Sequence, residues 1–140
     1  MAYISLKNEL VNDDPEKAQK LAGAAKEKLS KIDMKLLSDH QVHMAWMNTL
    51  ELLEENLKLI ANTGELATQR AAFVPLSSAL ILAVEQFGIA NTTFYQQHCP
   101  MADSNKGADW LSLEKEIRNP YYGDAMLSCG SVERTITPVK

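Results

Sequence analysis

The residues that can do chemistry in this chain fall into two groups. The first is His98-Cys99-Pro100-Met101 together with Met126-Leu127-Ser128-Cys129, which holds both cysteines of the chain. Thiolates and thioethers are soft ligands, and they select Cu(I), Zn or similarly soft ions over Mg or Ca. A thiolate binds only after losing its proton, whereas a methionine thioether has none to lose. Three readings stand side by side: a soft-metal site, a Cys99–Cys129 disulfide, or two buried reduced cysteines beside core methionines. The disulfide would close a loop of about thirty residues and contribute roughly 3–4 kcal/mol in the chain-entropy model. Unpaired cysteine is itself commonly buried. His98 adds an imidazole, but neighbours along a strand point to opposite faces. His98 and Cys99 therefore do not readily serve one ion, whereas Cys99 and Met101 share a face if the strand continues.

The second group is His40, His43, Met44 and Met47. Spacings of three and four place them near one face of a helix, where they can form a soft-metal strip. A methionine stripe at helical spacing is more often packing, with Met44 and Met47 in the core and the histidines at its edge. Packing is the favoured reading. The pattern is not H-E-x-x-H, and no Glu between the histidines can act as a base. The chain also lacks G-x-S-x-G, a phosphate-binding Gly-rich loop and a dinucleotide fingerprint. It reads as non-enzymatic, with a thiol redox protein as a weaker alternative.

Four helices are expected to position these residues. Tyr3, Leu6 and Leu10 mark a short first helix ended by Asn12-Asp13. Asp14 before Pro15 is a helix start, since aspartate caps and proline tolerates the first position. Ala18, Leu21, Ala25, Leu29 and Ile32 mark the buried side of helix two. Ser38 and Gln41 read as a capping box for helix three, which carries Trp46, Leu50, Leu53, Leu57 and Ile60. Asn62-Thr63-Gly64 breaks it. Helix four runs from about Glu65 to Phe87, is expected to kink at Pro75, and ends at Gly88. Short connections predict a mainly α fold, an up-down four-helix bundle.

Past Gly88 the helical period is lost. Residues 93–98 and 130–136 are β-prone, and pairing them antiparallel brings Cys99 and Cys129 to one end of a short ribbon. Between them Pro100–Gly130 reads as an irregular loop, with three of the six glycines and two of the five prolines. Trp110, Tyr121 and Tyr122 either present a partner-binding surface or anchor that loop, and anchoring is favoured because a long loop needs packing of its own. The expectation is one domain over 1–140, with a bundle at 2–88 and a Cys/Met-containing loop region at 89–140.

Composition agrees with one folded core: 140 residues, 46% apolar and 23% charged. Fourteen Lys+Arg against eighteen Asp+Glu give a net charge of −4, without the footprint of a nucleic-acid binder. The most apolar uncharged run, Ala71–Val84, carries Pro75, Ser77 and Ser78 and is short of the ~20 residues of a membrane span. Met1–Leu10 has neither the basic start nor the apolar block of a signal peptide.

The run CPMADSNKGADWLSLEKEIRNPYYGDAMLSCGSV, Cys99 to Val132, resembles the signature of a bacterial domain family of Bacteroidetes and relatives. Members stand alone after a signal peptide or are appended to periplasmic adaptor subunits of heavy-metal (copper/silver, cobalt-zinc-cadmium) efflux systems. Tyr3, Leu6 and Lys7, the Leu10–Asp14 run, Gln69-Arg70, Phe73 and Pro75–Ser77 match as well, so the likeness spans nearly the whole chain. His98 and Asp109 depart from it, since both positions more often hold an aromatic residue. The resemblance implies a periplasmic four-helix-bundle domain whose signal peptide is absent from this sequence. It implies Cys99, Met101, Met126 and Cys129 as ligands of Cu(I) or another soft ion, and an efflux adaptor or pump as partner. The alternative is a disulfide-stapled interaction module.

Overall fold

The computed structural model describes residues 2–30, 40–89 and 91–138. Helix α1 spans Ala2–Val11, α2 Pro15–Ser30, α3 His40–Ala61 and α4 Leu66–Phe87. The chain is therefore mainly helical, with four long helices before a small sheet.

Each boundary has a local cause. Asp13 takes a left-handed conformation (φ 56°) to turn the chain. The Lys17 amide then donates to Asp14 Oδ1 at 3.0 Å, so Asp14 caps α2, a contact worth about 1 kcal/mol. Helix α2 buries small residues, Ala18, Ala22 and Ala25. Helix α3 buries Leu50, Leu53, Leu57 and Ile60. The Asn62–Gly64 break is held by Gln69, whose Nε2 donates to Pro15 O at 2.8 Å and to Thr63 O at 3.0 Å. Helix α4 runs as one element through Pro75. It stops where the Gly88 amide returns to Val84 O at 2.9 Å, with Gly88 at φ 76°. Ile32 and Ser38 lie outside the described residues.

α1 packs on α2, α2 on α3, and α3 on α4. Trp46 meets Phe87 edge-on at 5.6 Å, so α3 starts where α4 ends. Tyr3 stacks on Phe73 at 5.1 Å and shares a hydrogen bond with Ser77 (2.8 Å), seating α1 on α4. The best 18-residue window of α4 has a mean hydropathy of 1.3, so this helix is long and apolar enough to cross a membrane. Half of that window is buried within the protein. The apolar window reaches beyond Ala71–Val84 because the flanking residues continue the helix.

Strand β1 (Phe94–Cys99) pairs antiparallel with β3 (Ser131–Ile136), as the alternation of the two segments predicts. The structure corrects the stretch between them. Ala108–Ser112 is a strand, β2, on the other edge of β1, and the sheet order is β2-β1-β3. β2 escapes a periodicity reading because three of its five residues are buried in succession, Trp110, Leu111 and Ser112. It lies against α4. One cluster of buried residues joins the helices to the sheet, running from Leu6, Leu53 and Phe73 to Phe94, Trp110 and Tyr121.

Candidate functional site: a dithiol at the end of the sheet

Cys99 ends β1, fully buried, and Cys129 lies in the turn before β3, half-exposed. Their sulfurs are 3.2 Å apart and both thiols are free. The pairing of β1 with β3 puts them there, since His98 opposes Ser131, with Cys99 just after the one and Cys129 two residues before the other. The separation lies between two chemistries. A disulfide needs about 2.05 Å. A tetrahedral ion at ~2.3 Å from each sulfur would hold them roughly 3.8 Å apart. The hydrogen bond with Cys99, and then desolvation, push the Cys129 thiol above the ordinary cysteine range. Both causes favour the neutral form of the Cys129 thiol.

Two buried amides and one glycine that the spacing of the cysteines did not announce hold this end of the sheet. Asn119 is fully buried. Its Nδ2 donates to Cys129 O (2.9 Å), its amide donates to Leu127 O (2.8 Å), and its Oδ1 accepts from the Tyr121 amide (2.8 Å). Gln97, also fully buried, donates from Nε2 to Glu114 O at 2.8 Å and so ties the segment after β2 to β1. Gly130 has φ 137°, and a Cβ there would stand 2.8 Å from His98 O and 3.2 Å from the Trp110 ring. Only glycine lets the cysteine turn come this close to β1.

The methionines stand apart from this construction. Met126 is half-buried and its carbonyl accepts from the Cys129 amide at 3.1 Å, one turn upstream. Met101 is 44% exposed, and its carbonyl accepts from the Tyr122 hydroxyl. His98 faces away from Cys99, as strand alternation requires. Its Nδ1 meets Asp109 Oδ1, and Asp109 Oδ2 accepts from Gln96 Nε2 at 2.8 Å. His98 and Asp109 are cross-strand partners. The two positions at which the chain departs from the expected aromatics thus answer one another as a polar pair.

Among the described residues no group of three or more His, Cys, Asp or Glu side chains gathers to hold an ion. The side chains of His40 and His43 lie outside the described residues. Met44 and Met47 are exposed, at 48% and 41%, which corrects the expectation that they fill the core. α3 buries its Leu50-Leu53-Leu57-Ile60 stripe instead.

The aromatic trio divides. Trp110 is fully buried and Tyr121 nearly so, which corrects any reading of these two as a partner-binding surface. The Trp110 ring meets Tyr121 edge-on at 5.9 Å, and the Tyr121 hydroxyl donates to Asp109 O at 2.7 Å. Tyr122 is half-buried. Arg70 of α4 completes the anchoring. It donates to Pro120 O (2.8 Å), to Leu10 O (2.8 Å) and to Asp13 Oδ1 (2.6 Å). Its guanidinium holds the Asp13 carboxyl below the ordinary carboxylate range.

A family model described as a protein of unknown function, DUF3347, matches residues 1–92 of the chain. The chain belongs to that family. No curated protein matches it. No solved structure matches it.

Proposed function

We propose that this member of the DUF3347 family is a non-catalytic, periplasmic domain that binds a soft metal ion as cargo. Cys99 and Cys129 take a Cu(I)- or Ag(I)-like ion, Met126 and Met101 offer thioethers, and the domain sequesters the ion or passes it to an efflux adaptor or pump. The observation that carries the reading is the contact of two free thiols, 3.2 Å apart and thirty residues apart in sequence. One thiol is buried and the other half-exposed, so an ion has a way in and a low-dielectric seat. Opening the pair by about 0.6 Å reaches the tetrahedral separation inferred from ordinary metal–sulfur distances. The likeness of Cys99–Val132 to domains appended to efflux adaptors supports the link to heavy-metal handling. In this reading α1–α4 form an up-and-down bundle, supported by the packing of each helix on the next.

A second reading has its own support. The same 3.2 Å is about 1.2 Å from a disulfide, and oxidising compartments favour closure. The pair is then a staple and the domain an interaction module. An anaerobic Cu(I) titration of the reduced chain against a chromophoric chelator separates the two. One tightly held equivalent that is lost in Cys99→Ser supports the metal reading. Failure to compete with the chelator, or unchanged affinity in Cys99→Ser, overturns it. Because Cys129 must lose a proton that its neighbour helps retain, affinity should rise with pH.

A further inference from the structure

Helix α2 packs through small side chains, Ala18, Ala22 and Ala25, against neighbours that present leucines. Toward the C-terminal end of α2 this leaves space. A cavity of about 340 Å³ opens there among all four long helices. Its wall is Ala25 and Leu29 of α2, Leu53 and Leu57 of α3, Leu76 and Leu80 of α4, and the start of α1. Leu53, Leu57 and Leu76 are almost fully buried, so the space reaches into the core. Protein interiors pack as densely as organic crystals, and voids larger than a water molecule are few. Water has little to gain in such a place, because it needs two to four polar partners. Tyr3 brings a hydroxyl to the wall, but that group already meets Ser77 Oγ (2.8 Å) and the Leu111 amide (3.1 Å). The cavity therefore favours an apolar occupant. Its volume lies at the low end of the ~300–1,000 Å³ of ordinary ligand sites. At ~30 Å³ for a water-sized group it holds roughly eleven of them, which suits a chain of about ten carbons.

Among the described residues of the wall, Lys28 of α2 alone carries a charge, and it is exposed. In the plain reading its stem covers leucines while the ammonium stays in water. The same placement sets a cation at the mouth of an apolar hole. An anionic amphiphile fits that arrangement, with its chain inside and its head at the wet end. No carboxylate among the described wall residues opposes the head. A cationic amphiphile would meet Lys28 with like charge. We propose that this cavity is a binding site for a medium-chain fatty acid, the alkyl chain lying against the leucines and the carboxylate pairing with Lys28 Nζ. None of the described wall residues belongs to the sheet, so the site is independent of the dithiol.

The test titrates the full reduced chain with decanoate, below its micelle concentration, by isothermal titration calorimetry. One saturable equivalent is expected. Decyltrimethylammonium, with a chain of the same length and the opposite head, should bind about tenfold more weakly. Lys28→Glu reverses the exposed charge and should weaken decanoate by about fivefold or more. Leu80→Trp fills the cavity and should abolish binding; if that variant does not fold, the Lys28→Glu and head-group arms still decide. Cys99→Ser should bind decanoate as the parent chain does, which separates this result from the fate of the dithiol reading. No saturable binding, several weak equivalents, or equal affinity for the two heads or in Lys28→Glu overturns the proposal.

Discussion

The helical part and the sheet part of this protein are held together in different ways. Between residues 2 and 87 each helix buries a stripe of interchangeable apolar side chains, such as Leu50, Leu53, Leu57 and Ile60 on α3. Between residues 94 and 136 the chain depends on a few side chains that each do one thing. Gln97 holds the segment after β2, Asn119 holds the cysteine turn, Gly130 permits its close approach, and Trp110 fills the space beneath. The lesson is about redundancy. Losing one leucine from a stripe weakens a helix that its neighbours still place. Losing one clamp removes a contact that no neighbouring side chain repeats.

The sharpest break of this comparison is Trp110→Ala. A fully buried indole removed from the junction of β1, β2 and the cysteine turn should cost about 3–5 kcal/mol in chemical denaturation. The folded remainder should show faster Cys129 modification. Leu57→Ala is the matched change in the helical part, with an expected loss of about 2–4 kcal/mol. Its native-state thiol reactivity should match the parent chain; a change there would show that the two parts are not separable in this way. Asn119→Ala should cost less, about 1–3 kcal/mol, because it strands the Cys129 carbonyl and the Tyr121 amide. It should move thiol reactivity more than Leu57→Ala does, and the opposite ranking would sink the redundancy argument.

Asp13 tests the joint between the parts. Its folded-state pKa is depressed by Arg70, so its contribution is present above the unfolded value of about 3.9 and is lost as pH falls through the folded value. Asp13→Asn should lower the melting temperature at pH 7 and shrink the difference from the parent chain toward pH 2. A difference that is constant with pH would assign the effect to packing. At the bottom of the scale, Met44→Ala and Met47→Ala should each stay within about 0.5 kcal/mol of the parent, since both side chains are exposed. A larger loss in either would place that side chain in a contact that its exposure does not show.

The helical part was legible because its signals are local and repeated. Tyr3, Leu6 and Leu10 announce α1, Asp14-Pro15 announces the start of α2, and Gly88 announces the end of α4; each does so through geometry spanning fewer than about five residues. The β1–β3 pairing was legible from the β-prone residues of its two segments, and with it the meeting of Cys99 and Cys129. Met44 and Met47 misled because helical spacing says which residues share a face and not which face is covered. β2 was hidden because a strand buried on both sides loses its alternation.

What the amino-acid order determined by itself is therefore the set of helices, their caps, one strand pair and the presence of two thiols at its end. Tertiary structure alone decided the rest. It decided that Trp110 and Tyr121 point inward, that His98 turns to Asp109 and leaves Cys129 to Cys99, that Asn119 reaches the cysteine turn, and that Lys7 is buried. Periodicity and capping depend on neighbours three or four residues away, which the chain order specifies directly. Burial and thiol separation depend on residues up to about a hundred positions distant, as Tyr3 and Leu111 are, which only the packed chain brings together.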